Sequence, residues 1–94
     1  MNVMFDTDGT LYRVVGVPNQ TVIELAKLLK KGGAGVYAWS GGGAGYAQQV
    51  CRDMGIENLF DGFYSKLQPV PFNIDVTIDD MNYVARGKLN LMIL

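Results

Sequence analysis

An α/β fold with a central, mainly parallel sheet of about five strands is what this sequence predicts, and three observations predict it. Short apolar runs at 2–6, 34–39, 62–64, 73–78 and 89–94 are interleaved with two stretches of helical periodicity, 21–31 and 44–54. Strand and helix in alternation imply parallel pairing with helices on the faces of the sheet. The first four of these runs end in, or directly before, a chemically capable side chain. The composition also suits one folded domain: 94 residues, 49% apolar and 18% charged. We therefore read 1–94 as a single domain.

The elements follow in order. Residues 2–6 form a buried strand. Asp6 and Asp8 follow, two positions apart, and residues i and i+2 of a strand share a side. Gly9 then lets the chain turn tightly. Two like charges about 4 Å apart repel by roughly 4 kcal/mol at an effective dielectric of about 20, so such a pair points to a cation or to acid/base work. Residues 12–17 are β-prone and predict a short flap or an extra strand, broken at Pro18-Asn19. Thr21 and Glu24 have the spacing of a capping box. The helix after them places Val22, Leu25, Ala26 and Leu29 on one face and stops at Gly32-Gly33. The strand 34–39 runs into Ser40-Gly41-Gly42-Gly43. Ala47, Val50, Cys51 and Met54 share a face of the second helix, which Gly55 ends. A connector, 56–60, leads to the very short strand 62–64, then to Ser65-Lys66 and a Pro-containing loop, 67–71. The strand 73–78 ends in Asp79-Asp80. Met81, Val84 and Ala85 predict a helical turn closed by Gly87, before the last strand at 89–94.

Composition excludes several chemistries. There is no histidine, so Ser-His-Asp and Cys-His catalysis and His-built zinc sites are out. Cys51 is the sole cysteine and reads as a small core residue. A net charge of −1 gives no strong nucleic-acid signal. No apolar run spans a bilayer and no signal peptide is evident, so a cytoplasmic protein without membrane partners is expected. Seven Asp against two Glu place the acids at strand ends and turns rather than in helices.

A parallel sheet brings the ends of its strands to one edge, where ligands bind. Asp6, Asp8, Ser40, Lys66, Asp79 and Asp80 should therefore surround one crevice. Four carboxylates against one ammonium call for a hard divalent cation, and Mg²⁺ held by carboxylates and substrate phosphate fits. The Gly-rich stretch 41–45 matches neither a dinucleotide fingerprint nor a P-loop, and reads as a strand-to-helix turn offering N–H groups to one phosphate.

On these residues the chain resembles the haloacid dehalogenase (HAD) superfamily, in its compact phosphatase form. Val3 to Thr10 resembles the first family motif, an apolar strand followed by Asp-x-Asp-Gly-Thr. Val36-Tyr37-Ala38-Trp39-Ser40 resembles the second, Lys66 the third, and Val76-Thr77-Ile78-Asp79-Asp80 the fourth. The resemblance implies a three-layer Rossmann-like core and a Mg²⁺-dependent phosphohydrolase. It implies Asp6 as nucleophile, forming an aspartyl phosphate, and Asp8 as general acid/base. Ser40, Lys66 and the backbone N–H of Thr7 or Gly41 are then expected to hold phosphate. Asp6, Asp79 and the Asp8 backbone carbonyl are expected to hold the metal, with Asp80 contacting it through water or orienting Lys66.

Nine residues separate Leu11 from Thr21, and twelve separate Lys66 from Asp79. Neither gap has room for a cap domain, so an open site is expected, taking a large phosphorylated substrate or a second copy of the chain as its lid. Pro69 and Pro71 disfavour a helix between the third and fourth motifs. Two other readings stay open: a receiver-like phospho-accepting signalling domain, and a non-catalytic binding or assembly module of the same fold. The order of motifs argues against the first. The small size and missing helix favour the second.

Overall fold

The computed structural model describes residues 1–81 and 86–93. Its centre is a five-stranded sheet made from β1 (Asn2–Asp6), β4 (Gly35–Ser40), β5 (Gly62–Ser65), β6 (Val76–Asp79) and β7 (Leu89–Met92). The strand order is β5-β4-β1-β6-β7, and all four ladders are parallel. β1 is central because it can be: Val3, Met4 and Phe5 are wholly buried, so the strand is apolar on both faces. Its register sets the sheet, with Phe5 opposite Ala38 of β4 and Ile78 of β6.

Alternation divides the side chains between two layers. Val3, Phe5, Val36, Ala38 and Ile78 face one side, where Val22, Ile23 and Ala26 of α1 (Gln20–Lys31) and Cys51 of α2 (Ala44–Asp53) cover them. Met4 and Trp39 face the other side, and what covers them is a loop: Val70, Phe72 and Ile74, with Phe72 stacked on Tyr37 at 4.4 Å between ring centres. Both helices thus lie on one face, and the third layer is the Pro-containing return from β5 to β6. The two prolines disfavour a helix there, and Val70, Phe72 and Ile74 pack on the sheet from an irregular segment of turns and bends.

Residues 12–18 form a hairpin apart from the sheet, β2 (Tyr12–Val14) against β3 (Val17–Pro18), with Val14, Val15 and Val17 exposed. The expected capping box does not form. Asn19 donates its N–H to the Leu11 carbonyl (2.7 Å) at the hairpin base, and its own carbonyl accepts from Ile23. That bond starts α1 at Gln20, which leaves Thr21 inside the first turn. The core face shifts with it: Ile23 is buried while Leu25 is exposed. α2 ends at Asp53 with Met54 as its cap, and Val50 is only half-buried. The connector contains a single 3-10 turn, Glu57–Leu59. β6 begins at Val76, three residues later than expected, because the Asp75 carboxylate is held by the Asn2 N–H (2.7 Å) before pairing begins. β7 stops at Met92. The helical turn expected at 81–85 falls largely on 82–85, so Val84 and Ala85 lie outside the described residues. No helix among the described residues is long and apolar enough to cross a membrane.

Phe5 is wholly buried and meets Phe60 edge-on, whereas Leu28 on α1 is 67% exposed. Phe5→Ala should cost about 3–5 kcal/mol in urea unfolding, a large part of the stability of so small a domain, and Leu28→Ala less than about 0.5 kcal/mol. Equal costs would contradict this core.

Candidate active site

The chain winds from β1 through α1 to β4 and through α2 to β5, then returns across the second face to β6. The strand order therefore reverses beside β1, and the crevice of a parallel sheet lies at such a reversal. Asp6 ends β1 and Asp79 ends the adjacent β6, both almost fully buried. Between them sits the Lys66 ammonium, 2.6 Å from Asp6 Oδ1 and 2.8 Å from Asp79 Oδ2. Backbone bonding brings Lys66 there: its N–H donates to the Ser40 carbonyl (3.0 Å). Arg86 donates to the Lys66 carbonyl (2.7 Å) and the Gln68 carbonyl (3.0 Å), and lies over the Trp39 ring. Of the two roles expected for Asp80, orienting Lys66 falls instead to Asp6 and Asp79, which hold the ammonium directly.

The remaining oxygens are also engaged. Thr10 Oγ1 donates to Asp6 Oδ2 (3.0 Å) across the turn closed by Thr10 and Leu11 N–H groups on the Thr7 carbonyl. The Met81 N–H donates to Asp79 Oδ1 (3.0 Å). Ser40 Oγ accepts from the Gly42 N–H (3.0 Å), which aims the loop after β4 into the crevice. Gly9 has φ +82°, and a Cβ there would collide with the Asp80 carboxylate. The positive φ is what makes glycine the residue this turn requires.

A pocket of about 310 Å³ results, lined by Asp6, Asp8, Ser40, Gly41, Gly42, Lys66, Asp79, Asp80 and Met81. It unites the expected Asp6, Asp8, Ser40, Lys66, Asp79 and Asp80 side chains with the turn at Gly41. Thr7, expected to offer its backbone N–H, is wholly buried and does not line the pocket; its hydroxyl donates to the Trp39 carbonyl (2.8 Å) and ties β1 to β4. Asp8 is exposed at the rim. Its Oδ1 accepts from Tyr46 (2.7 Å) and from Tyr12, and that bond holds the Tyr12 phenol well above its usual range. Thr10, Tyr46 and Arg86 were not foreseen as parts of the site. Thr10 had a signal, its place four residues after Asp6 in the Asp-Gly-Thr turn. Tyr46 and Arg86 had none, since their contacts cross 38 and 20 residues.

Electrostatics follow from the burial. Desolvation pushes the Asp6 carboxyl up to about 6, opposed by Lys66 and aided by Asp80 and Asp79. Burial also works against the Lys66 ammonium, but the two carboxylates outweigh it and hold it above its ordinary value. One oxygen each from Asp6, Asp79 and Asp80 lie within 4.8 Å of one another. An all-oxygen acidic set of this kind fits a hard divalent cation and not a soft metal.

Comparison with family models, with characterised proteins and with solved structures finds no match to this chain.

In metal-free protein the folded Asp6 binds its proton more tightly than the unfolded chain does. Its contribution to stability is therefore present at low pH and is lost as pH rises from about 4 to about 6. Carbon-13 NMR of the Asp6 carboxyl in EDTA should give a midpoint near 6, moving higher in Lys66→Met. A midpoint near the ordinary 3.8 would contradict the geometry.

Proposed function

We propose that this protein is a phosphohydrolase acting on phosphate monoesters through an aspartyl phosphate on Asp6, in the manner of a capless member of the HAD superfamily with a HAD-like core. The observation that carries the reading is Lys66 seated between Asp6 and Asp79, with Asp8, Ser40 and the Gly41 loop around the same pocket. Phosphoryl transfer asks mainly for positioning and neutralised charge, and this site offers both.

The residues divide the work as follows. Lys66 and the Ser40 hydroxyl, with the Gly41 N–H, bind the non-bridging phosphoryl oxygens. Thr10 and Lys66 hold the Asp6 carboxylate in one orientation. Asp6 attacks phosphorus as the bond from phosphorus to the leaving oxygen breaks. Asp8, as a carboxylic acid, gives that oxygen its proton. Water then attacks phosphorus, Asp8 takes the water proton, and the bond to Asp6 breaks, restoring both groups. Asp6, Asp79 and Asp80 would hold Mg²⁺, which when bound would offset the charge of the phosphoryl oxygens. Asp8 is the one carboxylate of the four on the exposed rim, where leaving group and water arrive.

The purified protein with Mg²⁺ should release phosphate from p-nitrophenyl phosphate. Asp8→Asn should lower kcat by about 10²–10⁴-fold, and Asp6→Asn should abolish turnover. Hydrolysis that persists in EDTA and in Asp6→Asn would overturn the proposal.

A further inference from the structure

Asp8 stands on an exposed turn, yet a proton-transfer group must hold its geometry to within a fraction of an ångström. Backbone bonds to the Thr7 carbonyl and a bridge to Tyr12 fix the turn itself, but the carboxylate at its tip needs partners of its own. Two tyrosines from different elements supply them: Tyr12 at the start of β2 and Tyr46 in the first turn of α2 both donate to the same oxygen, Oδ1. Each is itself fixed. Tyr12 pairs with Pro18 in the hairpin, whose base is closed by the Asn19 N–H on the Leu11 carbonyl. Tyr46 lies back over the Gly-rich loop, where a Cβ on Gly42 would press against its ring at 3.1 Å. The glycine after Gly41 therefore makes room for the tyrosine.

We infer that Tyr12 and Tyr46 are positioning residues that clamp Asp8 by one carboxylate oxygen, so that the other, Oδ2, is the atom that exchanges the proton with leaving group and water. The inference rests on the assignment of Asp8 as general acid/base. It adds a physical role for the hairpin: the flap anchors one of the two hydroxyls that hold Asp8 at the rim. Two neutral donors occupy Oδ1 and leave Oδ2 the oxygen without a tyrosine on it, on a residue that lines the pocket. A phenylalanine at either position keeps the ring and removes the donor.

The test isolates the second half-reaction. Acetyl phosphate labelled with phosphorus-32 can phosphorylate Asp6 without help from an acid, because acetate leaves unprotonated. Loss of the label by hydrolysis then needs Asp8 as base. Acid quenching with Mg²⁺ present gives both the rate of labelling and the lifetime of the label. Tyr12→Phe/Tyr46→Phe should label Asp6 at the wild-type rate and lengthen the lifetime about tenfold, with each single variant between, and Asp8→Asn should lengthen it more, about 10²-fold or beyond. A merely structural role for the tyrosines would slow labelling and hydrolysis together, and that outcome overturns the clamp. A lifetime unchanged in the double variant but extended in Asp8→Asn also overturns it while leaving the catalytic assignment standing. Failure of Asp6 to take label in the wild-type protein would remove the assignment and the clamp with it.

Discussion

One ammonium group between two buried carboxylates is the constraint on which the rest of this small protein turns. Asp6 and Asp79 end neighbouring strands and are both out of water, where like charges repel strongly and each ion has lost its hydration. Lys66 answers both at once, with hydrogen bonds of 2.6 and 2.8 Å. Its place is fixed through its main chain, whose N–H donates to the Ser40 carbonyl and whose carbonyl accepts from the Arg86 guanidinium. The loop that returns the chain from β5 to β6 thus does two things. It covers the second face of the sheet with Val70, Phe72 and Ile74, and it delivers the counter-ion to the strand ends.

The same economy separates Asp6 from Asp8, which lie two residues apart in the sequence. Asp6 is buried at the end of β1, where loss of hydration raises its pKa. Asp8 lies past the turn, in solvent, held by two tyrosine hydroxyls. One short segment therefore presents a shielded carboxylate and an exposed one to the same pocket. Environments so different are how a fold assigns different tasks to chemically identical groups. The glycine at 9 permits this, since the turn needs a φ of +82°, which other residues rarely adopt.

Much of the fold was legible in the sequence because its strands are buried on both faces. Continuous apolar runs such as Val3-Met4-Phe5 have few alternatives once Gly and Asp bound them. The gathering of Asp6, Asp8, Ser40, Lys66, Asp79 and Asp80 was legible for the same reason, since parallel strands align their ends. What was hidden depends on contacts distant in sequence. The Thr21 box was displaced by the hairpin bond from Asn19 to Leu11. The side of the sheet on which each layer lies depends on strand order, so the loop layer at 66–75 could be anticipated from Pro69 and Pro71 only as a missing helix. The Thr7 side chain is a buried tie to Trp39, a contact across 32 residues that no local pattern marks. Tyr46 and Arg86 carried no pattern that marks a support residue.

The account rests on Lys66 as the charge that allows Asp6 and Asp79 to be buried together, and urea unfolding of a short mutant series at pH 7 tests it most directly. Lys66→Met should destabilise metal-free protein by about 3–5 kcal/mol, as expected when buried carboxylates lose their counter-ion, and adding Asp6→Asn and Asp79→Asn to that variant should restore most of the loss. A Lys66→Met protein within about 0.5 kcal/mol of wild type, or a triple variant no more stable than the single one, would contradict it.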